Sequence, residues 1–333
     1  MRCLVFGCGY MGKIRAAVLK NHPDVTQVKI YDPYVNPDRE PMAPDLLVPS
    51  EIPWKDFDAV FVCTPNNVSA KLAIEGLKNC GHVFCEKPPA RNYEELCAVR
   101  EAARARPDHT LVFGFNHRYH PLVQAAKDLV GEGGLGEVLY LRGTYGKSGG
   151  KNYRQSWRNQ KEISGGGILL DQGIHMLDLF QYFLGPLKLV NSLLQDSFWK
   201  CGVEDNVFVL LRSARGAPVF LHSSATLWKH TFTFEIGCEK GYLKANGLLS
   251  QTGSYGREQL VIGRRQFEDE ALALGNPREE IVYFDRDDSW RLEVNEFLSA
   301  VKEKRKATHG TLEEALQVMA LIRDIYAIDS NLL

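Results

Sequence analysis

No stretch of this 333-residue sequence holds the roughly 18 consecutive apolar residues of a membrane-spanning helix. Nor does one sign of charge dominate. Forty Lys and Arg stand against 41 Asp and Glu, a net charge of −1, which leaves no electrostatic footprint for nucleic acid or an anionic membrane. CxxC pairs are missing too. The eight cysteines, at 3, 8, 63, 80, 85, 97, 201 and 238, match no zinc-ligand spacing. Cys3, Cys63 and Cys85 lie in apolar runs, where a thiol behaves as a small hydrophobe. The opening MRCLVFGCGYMG has one basic residue and then glycines, a poor match to a secretory leader. There is no internal repeat or low-complexity tract. These absences point to a cytoplasmic globular protein with no membrane, nucleic-acid or metal partner. Its length suggests two domains or one large one.

What is present begins with alternation. RCLVFG, DVTQVKIYD, DAVFVC, HVFCE and TLVFGF are short apolar runs. Helical patterns separate them, from Met11 to about Asn21, over NVSAKLAIEGLKN and over YEELCAVREAARA. Continuous apolar strands between helices predict a doubly wound parallel sheet covered on both faces.

Between the first strand and helix stands GCGYMG. Gly7, Gly9 and Gly12 form G-x-G-x-x-G, with Tyr10 and Met11 inside it, and Asp32 ends the next strand twenty residues on. Gly7 permits the tight turn, Gly9 lets backbone approach a pyrophosphate, and Gly12 allows close helix–strand packing. The helix start then presents N–H groups to phosphate. Asp32 accepts hydrogen bonds from an adenosine ribose and repels a 2′-phosphate, which favours NAD. Arg39 lies close enough in sequence to keep NADP open.

A second glycine cluster opens GGGILLDQGIHMLDL (165–179). Read as one α-helix, it places Asp171, His175 and Asp178 on one face. A histidine titrates near neutrality and serves as base or acid for a hydroxyl proton, with Asp178 assigned to orient the ring. Asp-x-x-x-His-x-x-Asp is also a metal-ligand pattern, but no further cluster supports it.

Three strands end in polar residues: CTPNN, with Thr64, Pro65 and Asn66; CEKPPA, with Glu86 and Lys87; and FNHRYHP, with Asn116 and Arg118. With GGGILLDQGIHMLD, these segments resemble the glucose–fructose oxidoreductase / inositol dehydrogenase / MocA family over nearly the whole chain. The resemblance implies an α/β fold: an N-terminal Rossmann domain (1–118) and a C-terminal α/β domain (119–333) with a large open, mainly antiparallel sheet. It implies a catalytic set of Lys87, Asp171 and His175. Thr64, Pro65, Asn66, Glu86, Lys87 and Asn116 join the glycines and Asp32 around the cofactor. Pro88 matches a proline often preceded by a cis bond. The chain departs from the family pattern at NNVS, where many relatives have histidine, and at the second proline after Lys87.

In the second half, KSGGKNYRQSWRNQKEIS (147–164) is polar and glycine-rich. Tyr153, Arg154, Trp157 and Arg158 are the predicted substrate contacts, since planar aromatics stack on sugar faces and arginines bind anions; the family resemblance adds Arg118. Residues 187–284 alternate as a meandering sheet, and Thr311/Glu314 form a capping box before the last helix. An antiparallel sheet covered on one face predicts a homodimer or homotetramer through the other. The resulting expectation is an NAD(P)-dependent oxidoreductase acting on a sugar, sugar derivative or nucleotide sugar. A redox-assisted glycosidase and a dinucleotide-sensing binding protein are the alternatives.

Overall fold

The computed structural model describes residues 1–35, 45–47, 52–267, 269–273 and 275–328; Arg39 lies outside them. The chain divides into two compact units. The first comprises Met1–Asn116, Glu162–Gly165 and Trp290–Met319, and the second His117–Lys161, Gly166–Ser289 and Ala320–Leu333.

The first unit carries six described strands: β1 (Arg2–Phe6), β2 (Gln27–Tyr31), β3 (Leu46–Leu47), β4 (Ala59–Val62), β5 (His82–Glu86) and β6 (Leu111–Gly114). They run parallel in the order β3-β2-β1-β4-β5-β6. Helix α1 (Tyr10–Lys20) follows β1, α2 (Asn66–Asn79) follows β4 and α3 (Tyr93–Arg104) follows β5. Leu4, Val5, Val60, Phe61 and Phe84 are wholly buried. That is why these strands read as unbroken apolar runs: side chains on both faces are covered. Burial also pushes the Cys3 thiol up to about 12 and holds Cys85 well above the usual thiol range, so both sit in the core as hydrophobes.

The second unit contains α4 (Pro121–Gly131) and β7 (Val138–Gly146); the single turn α5 (Lys161–Ser164) follows, all but its first residue belonging to the first unit. Helix α6 (Ile174–Leu184) is followed by β8 (Leu187–Gln195), β9 (Asn206–Ser213), β10 (Pro218–Ser224), β11 (Thr231–Cys238), β12 (Gly241–Asn246) and β13 (Glu258–Arg264). A short α7 (Glu270–Ala273) and β14 (Glu279–Phe284) complete it. The sheet order is β14-β13-β12-β11-β7-β10-β9-β8. Only the central β7–β10 pair is parallel; the others are antiparallel. Val207, Val209 and Leu211 are buried while Leu210 between them is exposed, the period-2 signature of a sheet covered on one face. Gly143 in β7 lets α6 lie close. A Cβ there would stand 2.6 Å from Met176 Sδ and 2.8 Å from Phe180 Cζ.

Helix α8 (Ser289–Glu303) and helix α9 (Leu312–Ile328) close the chain. Val294, Phe297 and Leu298 join the core beneath the parallel sheet, with the Phe297 ring 5.3 Å from Phe61 and 5.7 Å from Phe84. Residues 290–319 thus belong to the first unit, whereas a single boundary at 118 was expected. An amphipathic pattern reveals a buried stripe, not which sheet it covers. Gly310 O accepts the Phe113 N–H at 2.8 Å beside β6. The expected capping box is formed: Thr311 N–H donates to Glu314 Oε2 at 2.9 Å, and Glu314 N–H to Thr311 Oγ1 at 3.3 Å. Among the described residues no helix is long and apolar enough to cross a membrane, and no group of three or more His, Cys, Asp or Glu is disposed to hold a metal.

Candidate functional site

In the first unit the strand ends converge because the strands are parallel. The order reverses between β1 and β4, where an open sheet of this kind binds ligands. The three fingerprint glycines do different things. Gly7 has φ +96°, and a Cβ there would meet Cys63 O at 2.5 Å. A Cβ on Gly12 would lie 1.9 Å from Gly7 O. Around Gly9 nothing lies within 4 Å of that position. So Gly7 and Gly12 serve the turn, and Gly9 faces open space.

The start of α1 is prepared for an anion. Gly9 supplies no side-chain cap, and no acidic residue occupies the first turn, so the early N–H groups keep their donor capacity. Tyr10 is 59% exposed beside them, and Met11 is half-buried. Asp32 is fixed by its own loop: Oδ2 accepts Cys8 N–H at 2.8 Å and Oδ1 accepts Tyr34 N–H at 3.0 Å. A carboxylate oxygen has a second lone pair, so this bracing leaves acceptor capacity for a ribose. Thr64 Oγ1 is buried and has no hydrogen-bond partner among the described residues, whereas such hydroxyls are normally satisfied. The open Gly9, the uncapped helix start and the orphaned Thr64 hydroxyl fit a dinucleotide.

Other predicted cofactor contacts hold the unit together. Asn66 is buried and donates to Ser164 O at 2.7 Å. Glu86 pairs with Arg15 at 2.6 Å, and the wholly buried Arg15 also pairs with Glu293 of α8. Burial opposes the Arg15 charge, but the two carboxylates outweigh it and hold the guanidinium above its ordinary range. This network joins β5, α1 and α8, which makes Glu86 an internal counter-ion. Pro65 is exposed at the start of α2, Asn116 is buried after β6, and Lys87 is half-buried at the end of β5. The Lys87–Pro88 peptide is cis.

In the second unit the helix expected to start at the glycine cluster begins as a π turn, Leu169–Gly173, before α6 takes up the α register. The wider turn shifts the phase, so Asp171, His175 and Asp178 acquire different surroundings. Asp171 pairs with Lys147 Nζ at 2.5 Å and Arg158 Nε at 3.3 Å. His175 stacks on His117, with ring centroids 3.8 Å apart and 18° between planes. Asp178 grips Arg118 through both oxygens, at 2.7 and 2.8 Å. Arg118 is only 1% exposed and lies 4.8 Å over the Tyr182 ring. The predicted substrate arginine is thus buried against Asp178, the residue expected to orient the His175 ring.

Around Asp171 the loop residues do assemble. Arg158 stacks 4.6 Å over Trp157, and Lys147 lies 5.7 Å over the Tyr153 ring. Arg154 is exposed. Tyr255 accepts from Gln172 Nε2 at 2.7 Å and packs 5.5 Å from Tyr145. Burial, with the Asp171 charge adding to it, pushes Tyr255 up to about 12 and Tyr145 far above the usual phenol range, so both remain hydroxyl donors. His230, 3.2 Å from Ser148 Oγ, is pushed down by burial and then by Lys147. Lys147, His117, Tyr145, Tyr255 and His230 were not singled out by sequence reading. Only Lys147 carried a signal, as the cation opening the polar loop.

Residues 1–113 match a family described as "Oxidoreductase family, NAD-binding Rossmann fold", and residues 123–244 match "GFO/IDH/MocA C-terminal domain". Levoglucosan dehydrogenase of Pseudarthrobacter phenanthrenivorans is 38% identical over 220 residues, 57% of this chain and 56% of that protein. The chain thus spans little more than half the length of that relative. Myo-inositol 2-dehydrogenase of Thermotoga maritima is 30% identical over 268 residues, 76% of this chain and 77% of that protein. The solved structure of levoglucosan dehydrogenase in complex with NADH and levoglucosan gives a TM-score of 0.85 over 99% of this chain and 97% of that one. Its identity is 24%, so that likeness is one of fold.

Proposed function

The chain belongs to the GFO/IDH/MocA family of oxidoreductases, and from that premise we propose that it is an NAD(P)-dependent oxidoreductase. It acts on a hydroxyl or keto carbon of a sugar or sugar derivative. The observation that carries this reading is the contrast among the fingerprint glycines: two are jammed against backbone and Gly9 is open. Gly9, the first turn of α1 and Thr64 hold the dinucleotide, and Asp32 favours NAD over NADP.

Bound there, a nicotinamide supplies the hydride acceptor for alcohol oxidation. His175 takes the hydroxyl proton as the carbon–oxygen double bond forms, and returns it in the reverse direction. The Lys87 ammonium stabilises the developing alkoxide. Asp171, set between Lys147 and Arg158, accepts hydrogen bonds from substrate hydroxyls. Tyr153, Trp157 and Arg158 line its approach, and the Tyr255 hydroxyl adds a donor. Arg154 is the remaining exposed contact.

Copies pair through the outward face of the eight-stranded sheet, where Leu210 and Phe220 stand 41% and 37% exposed. All eight cysteines are free, in keeping with a reducing cytoplasm. The test is nicotinamide reduction by the purified chain with NAD+ against a panel of sugars, polyols and nucleotide sugars, and the reverse reaction with their keto forms. No turnover in either direction overturns the reading. A Phe220→Lys variant should shift the light-scattering mass toward that of a single chain.

A further inference from the structure

We propose that His117 is a positioning residue for His175: its ring, clamped onto α6, holds the imidazole of the base in the plane from which it takes the hydroxyl proton. This rests on the reading of His175 as the base and adds to it the part that fixes its aim.

The two rings stack with centroids 3.8 Å apart and planes 18° from parallel. Faces at that separation are in van der Waals contact. The His175 ring therefore cannot turn about its Cβ–Cγ bond without driving an edge into His117. Tyr145 of β7 stands 6.4 Å from His175, with its plane 63° away, and limits the same rotation. His117 is itself held from three further sides. It is buried, and its ring meets His120 at 5.4 Å, Tyr145 at 5.3 Å and Phe232 at 6.0 Å, with planes 56–61° apart. Edge contacts of this kind fix the plane of a ring. One of these neighbours is anchored in turn. His120 Nδ1 lies 2.5 Å from Glu258 Oε1, and that buried carboxylate also accepts Leu122 N–H at 3.3 Å and Leu249 N–H at 2.9 Å.

The clamp has a second point. His117 and Arg118 are consecutive in the turn Asn116–Tyr119, and their partners His175 and Asp178 stand three residues apart on α6. At that spacing the two partners are neighbours on one helix face. Arg118 takes Asp178 through two hydrogen bonds while His117 takes His175 by its ring. Two consecutive side chains that grip a helix at two levels set both the height and the rotation of the face they hold. Asp178 thus bears on the His175 ring through Arg118 and His117. A base must bring its nitrogen within hydrogen-bond reach of the hydroxyl, so the plane of the ring decides whether the proton can move. An aromatic face also attracts a cation, and the imidazolium formed when His175 takes the proton is held by the same contact.

Two substitutions separate the face of the His117 ring from its nitrogens. His117→Phe keeps a face and removes the nitrogens, whereas His117→Gln keeps polar atoms and removes the face. The full chain is produced with isotope-labelled histidine, and the His175 signal is assigned by its disappearance in His175→Gln. In the wild type the proton on His175 Cε1 should resonate upfield of free histidine at the alkaline plateau of its titration, because it lies over a ring. It should stay upfield in His117→Phe and move to the free position in His117→Gln. Turnover is read with NAD+ and whichever of levoglucosan, myo-inositol and glucose the wild type oxidises. His117→Gln should lower kcat per folded molecule about ten- to a hundredfold and leave KM within about twofold. His117→Phe should recover most of that loss. A wild-type signal at the free position, equal kcat in all three proteins, equal losses in both variants, or a loss in His117→Phe alone overturns the proposal. If kcat survives in His175→Gln, the reading of His175 as the base falls and the proposal falls with it. A chain that turns over no sugar in either direction but shows the stated resonance pattern supports the placement of the ring and overturns the dehydrogenase reading instead.

Discussion

Two glycine-rich segments each lead into a helix, and they use glycine for opposite ends. In the first unit, Gly9 leaves the space beside it empty of protein. In the second segment every such space is filled. A Cβ on Gly166 would stand 2.1 Å from the Tyr326 hydroxyl, and one on Gly167 would stand 2.1 Å from Glu204 O. Glu204 is buried, and its carboxylate accepts both Gly167 N–H and Leu169 N–H. The helix start that an anion would use in the first unit is satisfied internally in the second. Glycine before a helix thus makes room for a ligand in one place and lets the protein close on itself in the other. The chemistry of the second segment falls to the side chains downstream.

The largest test of that division is His175→Gln. Turnover should fall about a hundred- to ten-thousandfold, while NAD affinity and melting temperature stay close to wild type. A stacked histidine with a merely structural role would lower the melting temperature and spare turnover per folded molecule. Next is Asp178→Asn, which removes the carboxylate from buried Arg118 and should destabilise the protein by about 3–5 kcal/mol in denaturant unfolding. Gly167→Ala should cost about 1–3 kcal/mol of stability through overpacking, with NAD affinity per folded molecule retained. Gly9→Val is the mirror image. Its φ of −73° and ψ of −169° are open to valine, so stability should hold within about 0.5 kcal/mol. NAD binding should weaken about ten- to a hundredfold by calorimetry as the methyls fill the open space. If Gly9→Val unfolds the chain and Gly167→Ala frees NAD, the comparison is reversed. The smallest effect belongs to Asp32→Ala, which should narrow the NAD-over-NADP affinity ratio by about tenfold. A wild-type protein that binds NADP more tightly would remove the role given to Asp32.

Legibility in the sequence followed the range of the interactions. The major strands of the first unit were readable because burial on both faces writes an apolar run into the chain itself. Strand β3 was not, since two residues carry no period. The fingerprint was readable because turn, strand and helix are contiguous. The internal bonds of Arg118, Glu86 and Asn66 were not legible for one shared reason. A polar residue at a strand end looks the same whether it meets a ligand or an internal partner, and Asp178, Arg15 and Ser164 lie 60, 71 and 98 residues away. The π turn at Leu169–Gly173 left no mark, because one residue more per turn is invisible to a 3.6-residue pattern.

The return of α8 to the parallel sheet has a consequence for synthesis. The six strands are complete once Gly114 is made, yet Phe61 and Phe84 are not covered by Phe297 until α8 has been translated. At about 5–20 residues per second, that interval lasts on the order of ten to forty seconds. Throughout it, the nascent first unit presents an apolar face to solvent. The unit that is begun first is finished late, and a translational stop anywhere between Gly114 and Val294 would release a sheet whose strands are all present and whose core is still open.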